Sequence, residues 1–535
     1  MANSFDVIVV GSGFGGAVTA CRLAQAGRKV LVLERGREWT PDSYPRGPDD
    51  AWIWDDDEPE RQNGWIDLRY FGDMTVVQGA AVGGGSLIYA NVSVEAEPFV
   101  FETGWPAAIN YKALKPHYET AGKMLGVEKT PDNQLTERFK LMREGAQKTG
   151  HGDRFRKLPL AVTFNKDFQG DGPDPHNEAN SKSWTNEHGV TQGTCIHCGY
   201  CDIGCRVQAK NTLDLNYLAA ARNAGAEVRA NHIVRSLETI DSGGYRVRFE
   251  RIEDGRLIPD SVTADQVVLA AGSLGSTELL LRCRDIYRTL PGISNKLGYG
   301  WSSNGDFLTP AIYWDRRISP TVGPTITCAI DFLDGSKNGN RFFVEDGGFP
   351  DVLGGTVEEV SRKLSGGGII GKLFARIAKS ARNRDPLDAI MPWFGQSIDA
   401  SDGRLYLGKD WWNPFGSKKI KLDWDIRDSE AVINAMVDMH KELSAATGGT
   451  PVEPLYWRWM RDLITPHPLG GCAMSDDPAT GVVDGNGRVY GYDGLYVADG
   501  AVFPKAIGLN PSRTIAALAE HIAQGMIHGT QGVET

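Results

Sequence analysis

One stretch limits the fold before anything else is read. Residues 5–10 carry the apolar run Val7-Ile8-Val9-Val10, and Gly11-Ser12-Gly13-Phe14-Gly15-Gly16 follows at once. A helical segment then runs through Leu23, and 29–34 form a second strand closed by Glu34. An apolar run without polar alternation suits a parallel strand buried on both faces. Glycines 11, 13 and 16 fit the G-x-G-x-x-G spacing at a strand-to-helix turn. Gly11 permits the tight turn, Gly13 lets a pyrophosphate approach the helix N-terminus, and Gly16 lets helix and strand pack closely. Glu34, at the end of Val30-Leu31-Val32-Leu33, can accept hydrogen bonds from both hydroxyls of an adenosine ribose. The ordered set predicts a dinucleotide-binding unit rather than a bare packing turn.

The remaining length calls for more than one simple core, since the chain has 535 residues. With 57 Lys+Arg against 68 Asp+Glu there is no global basic field, which excludes nucleic acid as a partner. No leader pattern precedes Val7, and no apolar run approaches the ~20 residues that span a bilayer. A cytoplasmic protein is expected. One segment, 362–384, collects Arg362, Lys363, Lys372, Arg376, Lys379, Arg382 and Arg384 without an acid. It reads either as a solvated helix packed on its own domain or as a basic amphipathic helix peripheral to an anionic membrane.

Further along, residues 36–78 look like a long surface excursion, and Gly83-Gly84-Gly85 are spaced to close backbone amides on a planar or anionic group. Helical periodicity covers 105–126 and 211–224. Strands are expected at 228–234, 245–251 and 266–269, the last leaving through Ala270-Ala271-Gly272-Ser273 into a helix at 277–283. Between 307 and 424, alternating segments such as 325–330 and 419–422 predict antiparallel strands with one wet face. The tail returns to dinucleotide-type patterning, with Pro466-His467-Pro468-Leu469-Gly470-Gly471, a strand at 494–498 ending at Asp499-Gly500, Gly508-Leu509-Asn510-Pro511, and a helix at 514–526.

Four of the eight cysteines fall in Cys195-x2-Cys198-x2-Cys201-x3-Cys205. The spacing matches a bacterial ferredoxin-type run, except that Arg206 replaces the closing proline and no second run exists. An iron-sulfur cluster, a zinc site, a local disulfide and free thiols all remain open readings.

Taken together, Gly11–Gly16 with Glu34, Val82-Gly83-Gly84-Gly85-Ser86-Leu87, Ala271-Gly272-Ser273-Leu274-Gly275-Ser276, His467-Pro468-Leu469-Gly470-Gly471, Asp499-Gly500 and Gly508-Leu509-Asn510-Pro511 resemble the glucose-methanol-choline oxidoreductase family, in its cholesterol oxidase-type branch. That resemblance implies an α/β fold: a Rossmann-like FAD-binding domain with a parallel sheet, made from 1–100, 210–308 and 465–535. A substrate-binding domain with a large antiparallel sheet, from 101–209 and 309–464, would include the cysteine run 195–205. It also implies that Glu34 holds the adenosine ribose, that Val234 meets the adenine, and that Gly85, Ala90, Val92, Ala271, Asp499 and Gly500 lie along the cofactor. His467 would take the hydroxyl proton of an alcohol, and Asn510 would hydrogen-bond the same oxygen. Glu345 in Arg341-Phe342-Phe343-Val344-Glu345 would move a proton when a steroid double bond shifts from Δ5 to Δ4.

The implied activity is FAD-dependent oxidation of a 3β-hydroxysteroid such as cholesterol, or of a similarly bulky apolar alcohol, with O2 reduced to peroxide. Two alternatives stand beside it: a dehydrogenase passing electrons to a quinone or protein acceptor, through an iron-sulfur cluster if one is held, and a hydroxynitrile lyase-type flavoprotein without net redox. The chain departs from secreted members in its cysteine run, in Tyr89-Ala90-Asn91 where they carry Asn-Gly-Gly, and in Ser512 where they carry phenylalanine.

Overall fold

The computed structural model describes residues 4–47, 49–168, 177–351, 386–410, 413, 415–452 and 463–529. Its opening unit is a strand at Ser4–Val10, a helix at Phe14–Gln25 and a strand at Val30–Leu33. The strands pair in parallel, Val7 opposite Val30 and Val10 opposite Leu33, and Val7, Ile8 and Val9 have no exposed surface. Gly11 takes φ +93°, and a Cβ at Gly16 would stand 2.0 Å from the Gly11 carbonyl oxygen, so neither position has room for a side chain.

These strands sit inside a seven-stranded sheet in the order 227–229, 30–33, 4–10, 256–269, 245–253, 232–239, with Leu495–Val497 also paired to the long Arg256–Leu269 strand. That strand does two jobs. Its first part pairs antiparallel with Tyr245–Glu253, and its last residues run parallel between Ser4–Val10 and Leu495–Val497. The single strand expected over 228–234 is divided into Glu227–Arg229 and His232–Thr239, because Asn231 adopts φ +61° and turns the chain from a parallel partner to an antiparallel one. Likewise the 211–224 helix is a 3-10 turn at Leu213–Leu215 and an α-helix at Tyr217–Asn223, restarted by the Asn216 side chain capping the Tyr217 amide.

A second, six-stranded sheet is antiparallel: 450–451, 307–312, 390–397, 342–346, 328–331, 155–157. It lacks the wet face that its alternation suggests. All residues of Cys328–Asp331 and Phe342–Asp346 are buried, since helices Glu137–Lys148 and Glu430–Ala446 cover one side and a cavity lies at the other. Lys419–Asp423 belongs to a separate three-stranded sheet with Tyr299–Trp301 and Gly403–Gly408.

The stretch 36–78 is not a surface excursion either. Ile53–Trp54, Ile66–Tyr70 and Met74–Gly79 form a sheet with Leu463–Thr465, and Trp65 packs edge-on against Trp39 and Tyr44 at 5.3 and 5.2 Å. Among the described residues no helix is long and apolar enough to cross a membrane. The basic segment 362–384 lies outside the described residues.

Candidate active site

One cavity of about 590 Å3 runs between the two large sheets and is lined by residues from nearly every motif singled out above. Gly11, Gly13, Glu34, Gly85, Ala90, Val92, Val234, Ala271, Asp499, Gly500, His467 and Asn510 all reach its wall. Gly16 and Glu345 do not. A Cβ built at Gly13 or Gly85 meets no protein atom within 4 Å, so these two glycines leave open a space that the fold itself does not need. That cradle, at the N-terminus of Phe14–Gln25, fits the pyrophosphate of a dinucleotide.

Ser12 is a residue that the spacing alone did not single out. Its amide and hydroxyl donate to Glu34 Oε2 at 2.9 and 2.7 Å, and its Oγ accepts from the Gly83 amide at 2.9 Å. Glu34 Oε1 accepts from the Gly36 amide at 2.9 Å. One hydroxyl thus joins the first glycine turn, the acid and the second glycine loop. Asp499 is similarly engaged by the protein: Oδ2 accepts from the Gly272 amide and Ser276 Oγ, and Oδ1 from the Ala501 amide. It caps the Gly272–Asp285 helix from across the fold, and burial raises its carboxyl to about 6.

His467 and Asn510 arrive from different loops. The first follows Leu463–Thr465, and its Nδ1 lies 2.9 and 3.1 Å from the two carboxyl oxygens of Asp306. The loop carrying Asn510 is held by Asn304, which accepts from the Ile507 and Gly508 amides and donates to the Leu509 carbonyl. On its far side, Ser512 Oγ donates to the Val92 carbonyl, so this loop is tied to the 90–93 segment. Phe394 stands 6.3 Å from the His467 ring, centroid to centroid, and pairs with Leu308 on one neighbouring strand and Glu345 on the other. Direct cross-strand partners share a face. Glu345 therefore belongs to the cavity side of the antiparallel sheet, but Asn510 covers it: Asn510 Nδ2 is 3.4 Å from Glu345 Oε2, and Gln396 Nε2 is 2.8 Å from the same oxygen. Burial drives the Glu345 carboxyl well above the usual range.

The cysteine run forms a loop pinned by Arg46, which donates to the Ile203 and Gly204 carbonyls, and by the buried Lys210 ammonium, which donates to the Leu87 and Cys201 carbonyls. All four cysteines are unpaired. Burial raises the thiols of Cys195, Cys198 and Cys205, Cys198 to about 12, and the neighbouring cysteines of the run add to it. Among the described residues no three His, Cys, Asp or Glu side chains gather to hold a metal ion.

Residues 180–283 and 399–519 match the family model described as GMC oxidoreductase, and residues 9–46 match that of an NAD(P)-binding Rossmann-like domain. The chain is 31% identical to a cholesterol oxidase of Mycobacterium tuberculosis, with 98% of this chain and 91% of the relative aligned. It is 30% identical to a cholesterol oxidase of Acinetobacter baumannii, over 96% and 93%. Among solved structures, pyridoxine 4-oxidase from Mesorbium loti is similar with a TM-score of 0.64 at 17% identity, covering 98% of this chain and 99% of that one. A formate oxidase gives 0.63 at 14%, covering 99% of each. At such identities the structural likeness is one of fold.

Proposed function

Because the chain belongs to the glucose-methanol-choline oxidoreductase family, its chemistry is FAD-dependent oxidation of an alcohol, and we propose a bulky apolar secondary alcohol, a 3β-hydroxysteroid such as cholesterol, as the substrate and O2 as the acceptor. The observation that carries this reading is a single cavity on which the glycine loops and Glu34 share a wall with His467 and Asn510. Full-length similarity to two cholesterol oxidases supports the sterol. So does a wall that is apolar at Leu308, Ile326, Phe394 and Ile464.

When bound, FAD supplies the acceptor for the hydride that leaves the carbinol carbon and returns the electron pair to O2 as peroxide. The chain's residues do the rest. Glu34 and Val234 hold the adenosine, while Gly13, Gly85, Ala90, Val92, Ala271, Asp499 and Gly500 line the remainder of the cofactor. His467 takes the hydroxyl proton and Asn510 fixes the oxygen by a hydrogen bond. We assign 1–100, 210–308 and 465–535 to a cofactor domain and 101–209 and 309–464 to a substrate domain; in support, the seven-stranded sheet draws every strand from the first set, and the six-stranded sheet draws its strands from the second apart from the start of Phe307–Ile312. A Δ5 to Δ4 shift by Glu345 would need Asn510 to move aside, because Asn510 stands between that carboxyl and the cavity.

Anaerobic mixing with cholesterol, and separately with 1-dodecanol, tests the reading. Cholesterol is expected to bleach the flavin, and admitting air is expected to return the colour with one peroxide per turnover. A bleached flavin that air does not reoxidise would point to another electron acceptor. A flavin that stays yellow with both alcohols would remove the proposal, and this is also what a lyase predicts. His467→Ala should keep FAD yet slow bleaching by orders of magnitude.

A further inference from the structure

Ser302-Ser303-Asn304-Gly305-Asp306 leads into the Phe307–Ile312 strand and is buried throughout. Its last side chain has no exposed surface and meets the turn Thr465-Pro466-His467 twice. Both Asp306 oxygens face His467 Nδ1, and Thr465 Oγ1 lies 2.6 Å from Oδ2 while itself accepting the His467 amide at 2.9 Å. Burial raises the Asp306 carboxyl, while His467 and Thr465 act against that rise; in its ionised form the carboxylate can only accept hydrogen bonds, and Nδ1 then carries the proton. The ring is then left with its lone pair on Nε2, which makes no hydrogen bond within the described residues and belongs to a side chain on the cavity wall.

We propose that Asp306 is the positioning residue that holds His467 in the tautomer with a proton on Nδ1 and Nε2 free to receive the substrate's hydroxyl proton. The inference rests on His467 as the proton acceptor. When the O–H bond breaks, its proton forms the Nε2–H bond, the ring becomes an imidazolium, and the carboxylate 2.9 Å away stabilises that charge without taking a proton itself. The same five-residue segment also places the amide. Asn304, in the left-handed region at φ +56°, grips the 507–509 backbone that leads to Asn510. Two groups expected to touch one alcohol oxygen thus take their positions from residues two apart in the chain.

Other titratable groups face Asp306. Asp399 is held by Ser302 and Ser303, and Glu345 lies behind Asn510; both act on it as like charges when ionised. Neither replaces it as an acceptor for Nδ1.

Asp306→Asn keeps the shape and removes the charge. It is expected to retain FAD and its melting temperature while slowing anaerobic flavin bleaching by cholesterol about 10²- to 10⁴-fold, the range that loss of a carboxylate behind a catalytic imidazole gives. A second readout separates chemistry from packing: in Asp306→Asn the limiting rate of bleaching should fall while the half-saturating cholesterol concentration changes by less than about threefold, whereas a disturbed cavity would move both. Slow bleaching in His467→Ala, with a normal limiting rate in Asp306→Asn, would overturn the role of Asp306 and leave His467 standing. A normal rate in His467→Ala would remove the proton-acceptor reading, and the inference with it. Loss of FAD from Asp306→Asn would make the carboxyl a structural support and overturn the inference as well.

Discussion

Glu345 Oε2 accepts a hydrogen bond from Asn510 Nδ2 across 3.4 Å, while Oε1 is buried without a partner. Burial is the first cause that lifts this carboxyl far above its usual range, with Asp346 and Asp306 adding to it, which favours the neutral acid. An amide of the same shape should therefore be accepted. Glu345→Gln is expected to retain FAD, to melt within about 5 °C of the parent, and to oxidise cholesterol at a rate within roughly tenfold. If Glu345 moves the double bond, the variant's product will be the unshifted Δ5 ketone, and product analysis by chromatography decides the point. Conjugated product at the parental rate would take Glu345 out of the reaction.

Gly13 separates cofactor binding from folding. Its backbone, at φ −68° and ψ −167°, is open to any L-residue, and a Cβ there meets nothing of the protein. Gly13→Val should thus fold, melting within about 3 °C of the apoprotein, and lose at least about 100-fold in FAD affinity by filling the cradle. Equilibrium dialysis of apoprotein against FAD measures this. Gly16→Ala is the contrast: its methyl would lie 2.0 Å from the Gly11 carbonyl oxygen, so it should lose folded protein before any effect on binding can be read.

What is legible in the chain is what depends on neighbours in sequence. The Val7–Val10 run, the glycine turn, Glu34 and the helix into which Ala271-Gly272-Ser273 leads lie where local pattern puts them, and the paired sheets follow from continuous against alternating apolar residues. Contacts between distant segments are not legible. Asp306 is an ordinary acid at a strand entry until it meets His467, 161 residues later. Trp54 and Trp65 sit among aspartates and glycines that read as loop, and their burial comes from Trp39 and Tyr44 stacking on Trp65 and from a sheet completed by Leu463–Thr465. For the cysteines, the spacing says nothing of how the loop that carries them is held. Gly204 at φ +97°, His197 at φ +63° and the grip of Arg46 and Lys210 on the backbone set the loop's path instead.

The Arg138–Asp346 pair should be one of the main supports of the antiparallel sheet. Neither side chain has exposed surface, and Nη1 stands 3.1 Å from Oδ2 while the guanidinium also donates to the Thr325 and Pro324 carbonyls. Removing the cation leaves a buried carboxylate whose remaining donors are the Thr327 and Cys328 amides and the Thr327 hydroxyl. Arg138→Met should cost about 3–5 kcal/mol in urea unfolding. Adding Asp346→Leu to it should recover part of that loss, since the stranded charge is then gone. A double variant less stable than the single one would show that the pair matters for its hydrogen bonds rather than its charge.

His440 should make the protein acid-sensitive. Its Nδ1 lies 3.0 Å from Thr309 Oγ1, its Nε2 is buried without a partner, and burial pushes its pKa down to about 3. In the unfolded chain an imidazole titrates near 6.5. Between those values the unfolded state holds a proton that the native state refuses, so stability rises with pH there and is lost as pH falls below about 6.5. The full window is worth roughly 5 kcal/mol at about 1.4 kcal/mol per unit. His197, lowered by burial to about 4, acts in the same direction. Asp499, raised to about 6, acts in the other, because the native state keeps its proton as pH falls through 6 while the unfolded chain does not until near 3.8. Urea unfolding of the parent and of His440→Gln at neutral pH and about two units lower separates these contributions. The parent should lose roughly 2 kcal/mol more than the variant over that interval, and equal losses would mean that His440 is already protonated in the native protein.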